Sequence, residues 1–80
     1  MNAKYKQLSR NIATVLKQLR AESGCTLREV SDATGVSNPH VCQLETGQIG
    51  EPGLFKIMKL AEHYRMSVSA LIAAAKNIKL

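Results

Sequence analysis

Tryptophan is absent from this 80-residue chain, and its only aromatics are Tyr5, Phe55 and Tyr64. A core without large rings has to be assembled from Leu, Ile, Val, Met and Ala, which pack well between helices. Hydrophobic residues make up 45% of the chain, enough for one modest core and too many for a disordered segment. Acidic residues are also scarce, 6 against 11 Lys and Arg, leaving a formal charge of +5. That balance favours anionic partners, of which nucleic acid is the commonest. The two cysteines, Cys25 and Cys42, form no C-x-x-C pair and have no zinc ligands near them at a usual spacing. No metal is expected, and both thiols read as packing residues of an intracellular protein. No apolar run approaches the roughly 20 residues that a membrane-spanning helix needs. The N-terminus shows no apolar stretch before a cleavage site, so a cytoplasmic location is expected. A nucleophile–base grouping and a glycine-rich phosphate loop are missing too, which argues against an enzyme and against any cofactor or small-molecule ligand.

What is present is charge in two blocks. Residues 1–20 carry Lys4, Lys6, Arg10, Lys17 and Arg20 and no acid. Residues 21–52 carry five acids against Arg28, and from residue 53 onward Lys56, Lys59, Arg65, Lys76 and Lys79 face a single Glu62. Attraction to phosphate must therefore come from the two flanks.

The periodicity is helical throughout, and an all-α, five-helix fold in one domain over residues 1–80 is expected. Leu8, Ile12, Val15, Leu16 and Leu19 form one apolar stripe, predicting a helix from about Lys4 to Glu22, ended by Gly24. Thr26 and Glu29 have the T-x-x-E spacing of a capping box, opening a second helix from Leu27 to Thr34 that Gly35 stops. Val36 follows as an apolar plug. Ser37 or Asn38 caps a third helix with Pro39 in its first turn, Val41 and Leu44 inward, and Gly47 at its close. Gln48–Gly53 reads as a loop. A fourth helix from Leu54 to about Tyr64 is expected to bury Leu54, Ile57, Met58 and Ala61. Ser67 or Ser69 caps a fifth, which contains Leu71, Ile72 and Ala75.

Residues 26–47, TLREVSDATGVSNPHVCQLETG, have the spacing of two short helices that cross at a glycine turn, with a small residue, Ser31, where they come close. The outer face of the second helix is left free to enter a DNA major groove. Together with KQLRAESG, the QLETG ending and the stretch P-x-L-x-x-I-M-K-L-A-E, this block resembles the Cro/C1-type helix-turn-helix domains, the repressors of phages and their bacterial relatives. The resemblance covers about residues 10–72 and implies a lambda-repressor-like fold that binds double-stranded DNA.

The resemblance also implies roles for single residues. Arg20 and Glu45 match the family's structural ion pair. Base reading falls to Asn38, Pro39, His40 and Gln43, and amides suit adenine because they can bond its N6/N7 edge twice. Phosphate contacts are expected from Thr26 and Arg28 at the start of the second helix, then from Thr46, Gln48, Lys56 and Arg10. One departure stands out: the third helix carries no Lys or Arg, so it contributes nothing to the electrostatic part of affinity.

The first nine residues read as a basic extension, and residues 66–80 as a dimerisation segment in which Met66, Val68, Leu71, Ile72, Ala75 and Ile78 supply an apolar, small-residue edge. The expected function is a dimeric, sequence-specific transcriptional repressor acting on a palindromic operator. A bacterial or phage-encoded protein associated with the nucleoid fits it. The competing expectation is a protein-interaction module, antitoxin- or anti-repressor-like, that keeps the fold with weakened DNA contact.

Overall fold

A computed structural model describes residues 3–48 and 53–78, which form five helices and, among themselves, no strand. These are α1 (Ala3–Ser23), α2 (Leu27–Thr34), α3 (Asn38–Thr46), α4 (Leu54–His63) and α5 (Val68–Lys76). Residues 49–52 of the predicted loop, Met1 and Asn2 of the basic extension, and Lys79 and Leu80 of the expected dimerisation segment lie outside the described residues.

Of the four short helices, α2, α3 and α5 are started by a side chain, whereas α4 begins at Gly53 without one. The Thr26 hydroxyl accepts from the Glu29 N–H at 3.1 Å while the Glu29 carboxylate accepts from the Thr26 N–H at 2.9 Å, completing the capping box. Those bonds, the backbone one first, hold the Glu29 carboxyl below its ordinary range. At α3 the cap is Ser37, whose hydroxyl accepts from the His40 N–H at 3.3 Å. Ser67, not Ser69, caps α5 by accepting from the Ala70 N–H. Gly35 and Gly47 end α2 and α3 at φ 79° and 74°, the left-handed region that costs glycine nothing. After α4 the same conformation falls on Arg65 at φ 59°, where Met66 N–H closes back on Ala61 O at 2.8 Å. The helix ends there with no glycine to announce it.

The core is small and aliphatic. Leu16, Leu60, Leu71, Val30 and Val41 are its largest fully enclosed side chains. α1 packs against α3 and α5, α2 against α3 and α4, and α4 against α5, so α3 is braced from α1 and α2. Two expectations for α4 fail. Leu54 and Met58 point outward, 62% and 37% exposed, and Leu60 takes the inward place beside Ile57 and Ala61. Positions 54, 57, 58, 61 and 57, 60, 61 both fit a helical stripe, and only the placement of α2 and α5 chooses between them.

One polar residue missed in the sequence sits in this interior. Asn11, 6% exposed, donates through Nδ2 to the Ala75 carbonyl at 3.0 Å and accepts from Gln7 Nε2 at 3.1 Å. It ties α1 to the end of α5. Its signal was a polar side chain three residues after Leu8 and four before Val15, on the apolar stripe itself. Ala75 and Leu71 are fully enclosed within the subunit core. Neither can line a dimer surface, and any apolar edge at this end consists of the half-buried Met66, Val68, Ile72 and Ile78.

Tyr64, half-buried beside the α1–α2 turn, yields a pH test. Burial, reinforced by the nearby Glu45 carboxylate and opposed by Arg20, pushes its phenol from 10.0 up to about 12. A group whose folded-state value is raised stabilises the protein fully below its unfolded value, and that contribution is lost as pH climbs through the folded one. Unfolding free energy is therefore expected to fall between about pH 10 and 12, and Tyr64→Phe is expected to remove this part of the fall. An unchanged alkaline slope in the variant, followed by denaturant titration, would reject the assignment.

Candidate nucleic-acid interface

α3 buries Val41, Leu44 and Glu45 and leaves Asn38, Pro39, Cys42, Gln43 and Thr46 exposed. The exposed set recurs at helical spacing and makes a continuous outer face. Because Ser37 supplies the cap, the Asn38 amide is released from that duty. Neither Asn38 nor Gln43 makes a side-chain hydrogen bond among the described residues, so both amides keep donors and acceptors to offer. Cys42 lies within the same face, between Asn38 and Thr46 one turn to either side. Cys42 is exposed there, so the packing role expected of both thiols does not hold for it.

His40 does not share that face. It is half-buried, its Nε2 enclosed with no hydrogen-bond partner among the described residues and its Nδ1 3.5 Å from Lys56 Nζ. A solvated ring free to meet a base edge is thus not what the fold presents, since Nε2 is enclosed and Nδ1 meets the Lys56 side chain that reaches across from α4.

The ion pair inferred from resemblance is formed. Arg20 Nε bonds both carboxylate oxygens of Glu45 at 2.9 and 2.8 Å, with side-chain exposures of 22% and 5%. The hydrogen bond to Glu45 is the main reason the guanidinium is held above its ordinary range, against the opposing effect of burial. A terminal nitrogen of the same guanidinium donates to the Cys25 carbonyl at 3.2 Å. One side chain of α1 therefore fixes both the end of α3 and the turn that leads into α2, which sets Thr26 and Arg28 relative to the outer face.

The candidate phosphate contacts divide into separate groups. Thr26 and Arg28 are exposed at the start of α2. The capping box there already uses the Thr26 and Glu29 N–H groups, so fewer backbone donors are open than the sequence suggested. Arg10 runs its stem past the far end of α3: a Cβ placed on Gly47 would lie 3.7 Å from Arg10 Cγ and 3.9 Å from Ala13 Cβ. That brings Arg10 beside Thr46 and Gln48. Lys56 stands at the other end of α3, against His40. A groove between α1 and α3, lined by Thr14, Lys17, Gln18, Ala21, Glu45 and Thr46, adds Lys17 as a further cation alongside the outer face. Positive charge thus surrounds α3 without sitting on it.

Among the described residues, no three His, Cys, Asp or Glu side chains come together to hold a metal ion, and no helix is long and apolar enough to cross a membrane. A family model described as helix-turn-helix matches residues 16–71, from the middle of α1 into α5 and across the whole of the outer face. No curated protein matches the chain.

Proposed function

The chain belongs to the Cro/C1-type helix-turn-helix family of DNA-binding regulators, and from that premise we propose that it is a repressor that binds a palindromic operator as a homodimer. The observation that carries this reading is the exposed face of α3, on which Asn38 and Gln43 hold uncommitted amides and Pro39 offers a surface for a thymine methyl. Around it, Arg10, Thr26, Arg28, Thr46, Gln48 and Lys56 are the groups proposed to hold phosphates. They set orientation and supply the salt-dependent part of affinity. Two-fold pairing through Met66, Val68, Ile72 and Ile78 would present two α3 helices to successive half-sites. Such half-sites lie about 34–36 Å apart, and the described residues measure 33 × 20 × 20 Å, so two copies fit side by side at that spacing.

Gln43→Ala tests the reading on a duplex selected from random sequence. At one base of each half-site the variant is expected to lose about 1–3 kcal/mol of discrimination, some 5- to 150-fold, while its helix content is unchanged. Unaltered base preference, or a wild-type protein that ignores duplex DNA even at low ionic strength, would overturn it. A second reading is favoured by one observation: Leu54, Phe55 and Met58 are together exposed on α4, Phe55 by 75%. On that reading the domain is an interaction module that docks a protein there, and Gln43→Ala leaves its partner binding intact.

A further inference from the structure

Two positions at the start of the α3 face were treated alike by the sequence, Pro39 and His40, yet the structure withdraws the second from the groove. His40 has only two atoms with which to read a base. Nε2 is enclosed within the protein, and Nδ1 lies 3.5 Å from Lys56 Nζ. An ammonium group can only donate. In that contact Nδ1 must therefore be the acceptor, and a neutral ring then carries its proton on the enclosed Nε2. Both ring nitrogens are spent, one inside the fold and one on a lysine.

The geometry points to His40 as a positioning residue: we propose that its Nδ1 holds the flexible Lys56 side chain in the pose from which it meets a DNA phosphate, and that His40 itself touches no base. This rests on the DNA-contact reading given above. It also answers a difficulty in that reading. α3 has no cation, so a lysine on another element must be brought to the near end of α3, and a long side chain fixed before binding loses less freedom on contact. His40 couples the base-reading helix to α4, so the register of the amides on α3 and the position of the charge on α4 are set together.

Two variants at the position separate the roles. His40→Phe keeps the ring volume and removes the acceptor. His40→Asn places an amide oxygen close to where Nδ1 stood and is expected to restore function. Affinity for the selected duplex is measured against salt by fluorescence anisotropy, alongside Lys56→Met and the His40→Phe/Lys56→Met double variant. His40→Phe and Lys56→Met are each expected to weaken binding similarly for every base sequence. Each should flatten the log K against log salt slope by up to about 0.9, the value of one phosphate contact. The double variant should behave as Lys56→Met alone, and His40→Asn should keep the wild-type slope. A change of preference confined to one base with the slope intact would make His40 a base reader and overturn the proposal, as would additive losses in the double variant.

If His40→Phe does not fold, the imidazole 15N spectrum of the unaltered protein decides, taken at a pH where the rings are neutral: a proton on Nε2 supports the contact, and one on Nδ1 refutes it. A wild-type protein that fails to bind any duplex would instead remove the DNA reading, leaving the 15N result to stand by itself.

Discussion

Arg20→Ala is expected to lower the unfolding free energy by about 3–5 kcal/mol, the largest effect of any single charge removal in the molecule. The reason is the asymmetry of the pair. Glu45 is only 5% exposed in its side chain and cannot turn to water, whereas Arg20 is 22% exposed. Removing the arginine strands an enclosed carboxylate whose oxygens were bonded at 2.8 and 2.9 Å, and it also frees the Cys25 carbonyl. Glu45→Gln should cost less, because the amide oxygen still accepts from Arg20 and the guanidinium retains both Cys25 and a path to solvent. A folded domain of this size holds only about 4–12 kcal/mol in total. Arg20→Ala should therefore unfold at a much lower denaturant concentration, and DNA affinity should fall with it as the end of α3 comes loose from α1. If both variants lost under 1 kcal/mol in equilibrium urea titration, the pair would be behaving as an ordinary surface contact, and the bracing of α3 would have to be found elsewhere.

The second large effect separates two residues that stand seven apart on the segment expected to dimerise, Leu71 and Ile78. Leu71→Ala is expected to cost about 2–5 kcal/mol of subunit stability, because it empties space in the core that no neighbour can refill completely. The loss should not depend on protein concentration. Ile78→Asp should leave the subunit's own fold nearly unchanged and act on association alone, shifting the sedimentation profile towards monomer and weakening operator binding. Leu71 has no exposed surface, whereas Ile78 is half-buried at the edge of the same cluster. Should Ile78→Asp remain associated while Leu71→Ala dissociates without unfolding, the two-fold pairing proposed for this end of the molecule would be wrong.

Much of the recognition element was legible before any coordinates. Thr26, Glu29, Gly35, Pro39 and Gly47 each act on backbone within a few residues of themselves, through a cap, a left-handed turn or a fixed φ. Signals of that kind are complete in the sequence. The alternation of Val30, Val36, Val41 and Leu44 with polar residues told equally well which side of each helix would be covered. The Arg20–Glu45 contact is of another sort. It joins residues 25 apart, and only likeness to a family suggested it.

The choice between Ser37 and Asn38 as cap was open because both are good N-caps. The structure's answer matters to function, since it leaves the Asn38 amide unspent.

What the order of residues determined by itself, then, was five helices, the capping box that opens α2, the glycine stops of α2 and α3, the crossed pair at residues 26–47 and a surplus of cations on the flanks. Tertiary structure alone decided which of two overlapping stripes of α4 faces inward, that Leu71 and Ala75 belong to the interior while Ile72 and Ile78 reach its edge, that Asn11 is drawn inside to hold the end of α5, and that the His40 Nε2 is enclosed. Helical periodicity repeats every three or four residues and so permits more than one buried face. The choice among them is made by the volume and hydrogen-bonding needs of neighbours distant in the chain, which no local pattern contains.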